Sequence, residues 1–113
     1  MDKFDRGEDI YRSATLTIDD TAADTADFLT IEVVVRHKFT QVTLDTYTKA
    51  DSEVETPDPT SGGVITFIVP VSKTTIARVG TYEYEATTTE TDTDYEDNTR
   101  TRKFVGDCFF LNP

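Results

Sequence analysis

The sequence predicts an all-β sandwich of about seven antiparallel strands with one short helical turn. Three observations carry this. Apolar residues recur at every second position over six or seven segments, as half-buried strands require. Turn-forming residues separate these segments at roughly even spacing. Only residues 72–79 carry apolar groups at helical spacing. A length of 113 residues suits one domain and is too short for two ordinary ones.

Residues 1–11 are polar and charged, with Phe4, Ile10 and Tyr11 spaced among them. They read as an arm outside the core, either a frayed terminus or a docking segment, with the sandwich domain spanning 12–113. Ala14, Leu16 and Ile18 share one face of a strand over 13–18, and 19–27 is a polar turn. Residues 28–36 are the strongest strand, with Ile31, Val33 and Val35 on one side. A third strand over 39–48 turns Val42 and Leu44 inward. Residues 49–63 hold Pro57, Pro59, Gly62 and Gly63 and read as a long loop, of a length that often carries function. The almost wholly apolar run 64–69 predicts a central strand covered on both faces, ended by Pro70. Ser72 would cap a helical turn with Ile76 and Val79 on one face, and Gly80 stops it. Tyr82, Tyr84 and Ala86 point inward from a strand over 81–89, an acidic loop follows, and 99–111 is the last strand with a bulge or close contact at Gly106.

Charge and cysteine usage narrow the function. The net charge is −11, opposite in sign to what nucleic-acid binding demands. Cys108 is the only cysteine, so no intrachain disulfide forms. The first residues lack a signal-peptide apolar stretch and no run reaches membrane-span length, which predicts synthesis and assembly in a reducing cytoplasm. One histidine, His37, leaves no histidine-rich metal site or triad, and it reads as a solvated turn residue. Cys108 in an apolar strand reads as a buried, inert thiol. Nothing assembles a base, a nucleophile and an oxyanion site, so no catalytic residue and no cofactor are expected.

The remaining candidates concern binding. Glu90, Asp92, Asp94 and Glu96 alternate in the 90–98 loop and would repel one another on one strand face. Loosely held calcium or a basic partner would relieve that, and a solvated hairpin tip is the alternative. Arg100 and Arg102 form a positive stripe with Lys103 that either pairs with Glu83 and Glu85 or meets an acidic neighbour. Phe109 and Phe110 are consecutive, so one of them is expected in an interface. The expected interface is Phe4, Ile10, Tyr11, Val54, Pro57, Pro59, Arg100, Arg102, Phe109 and Phe110.

The segment Gly80-Thr81-Tyr82-Glu83-Tyr84, after a short turn, resembles the E–F corner of immunoglobulin-like domains, where a tyrosine opens strand F. Tyr84 stands where such domains carry a cysteine, and no tryptophan is present, so the chain departs from the antibody type. Over residues 12–111 it looks more like the cysteine-free immunoglobulin-like domains of tailed-phage virions, which include head decoration proteins and the N-terminal domain of baseplate upper proteins. The shared order runs through Thr15-Leu16-Thr17-Ile18, then the Ile31, Val33, Val35, Arg36 strand. It continues through the Gly-rich loop into an apolar strand, and ends on the Gly80, Tyr82, Tyr84 segment. The resemblance implies an immunoglobulin-like sandwich acting as a virion structural subunit without catalytic residues. Its partners would be the major capsid protein or tail and baseplate proteins, not nucleic acid or membrane. Baseplate upper proteins continue into further domains, and an end at Pro113 favours a stand-alone auxiliary capsid or tail-proximal subunit. A carbohydrate- or receptor-binding module, with Tyr47, Tyr82, Tyr84 and Tyr95 as stacking surface, is the competing expectation.

Overall fold

The computed structural model describes residues Met1–Pro113. Nine strands and one α-helical turn follow in order: β1 (Lys3–Asp5), β2 (Ile10–Thr15), β3 (Thr17–Ile18), β4 (Thr21–Ala22), β5 (Phe28–His37), β6 (Thr43–Thr48), β7 (Val64–Val69), α1 (Val71–Thr74), β8 (Gly80–Thr91) and β9 (Thr99–Asn112), with two short 3-10 turns at Thr25–Asp27 and Thr60–Gly62. The main sheet has the order β1-β9-β8-β5-β6, and β2 pairs with β7 in a second sheet. Five neighbouring strands with a separate two-strand layer place the consecutive strands as an immunoglobulin-like sandwich places its B, C, C′, E, F and G strands. The interior is one cluster of buried side chains drawn from both layers. Ile31, Val33 and Val35 of β5 and Tyr82 and Ala86 of β8 face Ile10, Ile65, Phe67 and Val69 from the second sheet.

The predicted arm is part of the sandwich. Ile10 opens β2 and is fully buried. β1 runs parallel to β9, with Lys3 opposite Phe110 and Asp5 opposite Asn112. Phe4 sets its ring edge-on to Phe109 at 6.3 Å, and Arg12 ties Asp2 back at 2.8 Å. Asp9 accepts a hydrogen bond from the Val71 N–H at 2.6 Å, so the cap of α1 comes from the N-terminal segment and not from Ser72. The polar composition of 1–11 hid this because short edge strands need few apolar residues once a neighbouring strand supplies the hydrogen bonds.

Other boundaries shift for identifiable reasons. Asp19 and Asp20 both adopt positive φ and close a two-residue hairpin between β3 and β4 inside the expected polar turn. The third strand begins at Thr43, because Gln41 at φ 61° makes 38–42 a tight turn; Val42 is therefore exposed, and Tyr47 fills the inward position. β7 is not central: it pairs with β2 alone, apart from one bridge to Glu55, and Ile68 faces outward. The helical turn is limited to 71–74 and leaves Ile76 exposed.

The irregularity of β9 falls beside Cys108, where Tyr82 pairs with Phe109 but Glu83 pairs with Asp107. This extra residue turns Cys108 and Phe109 inward together. Gly106 matters differently, since a Cβ there would lie 2.9 Å from the Tyr84 ring.

Phe4→Ala removes the cover of the β9 edge and is expected to cost about 1–2 kcal/mol, because the ring is only partly buried. Urea unfolding measures it, and an unchanged midpoint would return residues 1–11 to the status of an arm.

Candidate functional site

The corner between α1 and β8 is held by side-chain hydrogen bonds to two of its carbonyls. The Tyr82 hydroxyl donates to the Arg78 carbonyl at 2.6 Å, the bond expected of a tyrosine at this corner. His37 stands opposite Tyr82 across the β5–β8 pair, with ring centroids 5.3 Å apart in edge contact. Its Nδ1 lies 3.3 and 3.2 Å from the Phe39 and Thr40 N–H groups, and both donate to it. That leaves Nε2 as the donor to the Val79 carbonyl at 3.1 Å. His37 is therefore buried and fully bonded, not a solvated turn residue. It joins the β5–β6 turn to the corner. Gly80 sits between them at φ 128°, and a Cβ there would fall 2.7 Å from His37 Nε2.

This rigid base presents an apolar rim. Phe39, Val42 and Ile76 are 77, 66 and 75% exposed, with Val79 partly exposed beside them. A cleft of about 340 Å³ lies between the β5–β6 turn and the corner, lined by His37, Val42, Leu44, Ile76 and Ala77 among others. None of the three rim residues was among the expected interface residues. The exposed hydrophobics within 38–42 and 75–79 carry the signal that could have found them, once the strand starting at 43 and the shorter helical turn are recognised.

The expected interface residues scatter. Ile10, Val54 and Phe109 are core residues, Val54 plugging the sandwich from within the 49–63 loop. Phe4 and Phe110 are half-buried on the β1–β9 edge, where Lys3 lies over the Phe110 ring. Tyr11, Pro57 and Pro59 are exposed but do not join the rim. Arg102 binds Glu90 at 2.6 Å, and Arg100 approaches Asp92 at 3.9 Å while lying over Tyr95. The stripe is thus satisfied within the chain: Lys103 meets Glu85 as expected, while the two arginines take Glu90 and Asp92. Glu83 and Glu85 are both bound by Arg36, at 2.6 and 3.1 Å, and Glu85 also takes Lys103 at 3.2 Å. These bonds from Arg36 first, then Lys103, hold the Glu85 carboxyl below its usual range.

The four alternating carboxylates of the acidic loop divide accordingly. Glu90 and Asp92 are in ion pairs, and no group of His, Cys, Asp and Glu side chains in the molecule converges as a metal site would. Burial pushes the Cys108 thiol up to about 12, which keeps it protonated at neutral pH. Tyr47 and Tyr82 lie inside the core, so the exposed tyrosines are Tyr11 and Tyr95.

Compared with protein-family models, curated proteins and solved structures, the chain gives no match.

Two outcomes follow from the corner and the buried phenols. Gly80→Ala meets both the positive φ and the His37 ring and is expected to cost about 2–3 kcal/mol in chemical denaturation; a neutral result would mean the corner relaxes freely. Burial raises the phenols of Tyr47, Tyr82 and Tyr84. A phenol raised in the folded state stabilises the fold fully below its unfolded value of about 10 and loses that contribution as pH climbs beyond it. Urea midpoints should therefore be insensitive to these groups below about pH 10 and fall above it. Tyrosinate absorbance from the buried Tyr47 and Tyr82 rings should rise only together with unfolding.

Proposed function

We propose that this chain is a non-catalytic assembly subunit of a bacteriophage particle, an auxiliary or decoration protein of the capsid or a small tail-proximal subunit. The observation that carries the reading is the apolar rim of Phe39, Val42 and Ile76 on a hydrogen-bonded base. Contiguous exposed apolar groups mark interaction surfaces, and a rigid base lowers the ordering cost of binding. The partner is another virion protein, and the likeness of residues 12–111 to phage virion domains supports that choice. A glycan-binding role is less supported, because Tyr47 and Tyr82 are used in the core.

Capsids and tails lacking the subunit, mixed with purified protein, should carry it down on sedimentation. Phe39→Asp and Ile76→Asp leave the fold intact, since both side chains are exposed, and should weaken co-sedimentation at least about tenfold, the loss of one interface anchor. Absence of binding to any particle component would sink the proposal.

A further inference from the structure

The rim differs from the rest of the surface in charge as well as in apolarity. The cleft beside it is lined by Lys73 and Arg78 and by no carboxylate. Each of the other three clefts carries carboxylates. Lys73 and Arg78 are also without ion-pair partners, whereas Arg12, Arg36, Lys38, Arg100, Arg102 and Lys103 all bind carboxylates within the chain. In a chain of net charge −11 this is a local reversal of sign, set beside the exposed Phe39, Val42 and Ile76. What fits it is an apolar group flanked by negative charge.

The molecule carries such a group at its other end. β8 runs from Gly80 at the corner to Thr91 at the acidic hairpin, and its 12 residues span about 40 Å at the usual strand rise. The molecule measures 48 × 28 × 28 Å, so the corner and the hairpin stand at opposite ends of its length. At the hairpin tip Tyr95 is 44% exposed, between Asp94 and Glu96, with Asp97 next. These three carboxylates are outside the ion pairs that hold Glu90 and Asp92. The Tyr95 N–H donates to the Asp92 carbonyl at 3.2 Å, and its own carbonyl accepts from the Asn98 N–H at 2.9 Å, so the tip is an ordered turn. Arg100 lies over the Tyr95 ring at 5.7 Å and supports it. A tip ordered in advance loses little freedom on docking.

We propose that the hairpin tip of one copy of this chain docks in the rim cleft of the next. Tyr95 enters against Val42, Leu44 and Ile76, while Asp94, Glu96 and Asp97 meet Lys73 and Arg78. The cleft of about 340 Å³ receives a side chain able to bury about 150–250 Å². Exposed ion pairs add little affinity, so the ring supplies the binding and the charges the orientation. The two surfaces differ and lie at opposite ends, so the contact is head-to-tail and repeats into a ring or a row. The inference rests on the rim as a docking surface, as the particle reading does; in a row the terminal rim stays open to a particle partner.

The test is sedimentation of the purified protein alone, across a concentration series into the millimolar range. The wild-type mass should rise with concentration past that of a dimer. Arg78→Glu spoils the rim and Tyr95→Ala the tip. Both side chains are exposed, and Tyr82 is held by the Arg78 carbonyl, not by its side chain. Each variant alone should associate at least about tenfold more weakly, the loss of one interface anchor. Mixed, the two should form a one-to-one pair that grows no further, because one brings an intact rim and the other an intact tip. Either variant associating like the wild type, as rim-to-rim or tip-to-tip contact predicts, would overturn the proposal, and so would a mixture that stays monomeric. Wild-type protein that stays monomeric yet co-sediments with particles overturns this contact and leaves the particle reading standing. Self-association without co-sedimentation does the reverse.

Discussion

Two consecutive carbonyls, those of Arg78 and Val79, govern much of this structure. Each must find a donor where the chain leaves its helical turn and has not yet entered β8. The Tyr82 hydroxyl satisfies the first and the His37 ring the second, and these two side chains are themselves neighbours across the main sheet. The corner is thereby fastened to β5 as well as to its own strand. Gly80 is the residue that lets the backbone pass so close to an imidazole. With His37 also accepting from Phe39 and Thr40, one side chain ties the β5–β6 turn to the corner.

The rest of the sandwich follows from that anchorage. β8 pairs with β5 on one side and β9 on the other, so fixing its start fixes the register of three strands. Arg36 lies one residue before His37 and binds Glu83 and Glu85 from the opposite face of the same strands. That pair is mostly shielded from solvent, so loss of the arginine would strand carboxylates more damagingly than at an ordinary surface bridge. The side facing the second sheet is apolar, while the side facing away carries the charges, as period-two alternation requires.

That alternation explains what could be read from the sequence. Ile31, Val33 and Val35 were legible because β5 keeps an unbroken period, and Gly80 with Tyr82 was legible because a tyrosine corner has a local spacing. Phe109 was not, because an extra residue at Cys108 breaks the period and turns both side chains inward. Ile10 and Val54 looked like surface residues because their cover comes from distant strands, which no local pattern reports. The rim depended on where a turn ended, the least determinate feature of a sequence.

The parallel pairing of β1 with β9 has a mechanical consequence. The chain starts at one end of this pair and finishes at the other, with Phe110 N–H also bonded to the Asp2 carbonyl at 2.9 Å. Tension applied between the two ends slides these strands past each other lengthwise. Their hydrogen bonds then share the load together and do not open one after another as a zipper would. A domain held at both ends would resist stretching through this short clamp first, with the Phe4 ring against Phe109 as the friction that must be overcome.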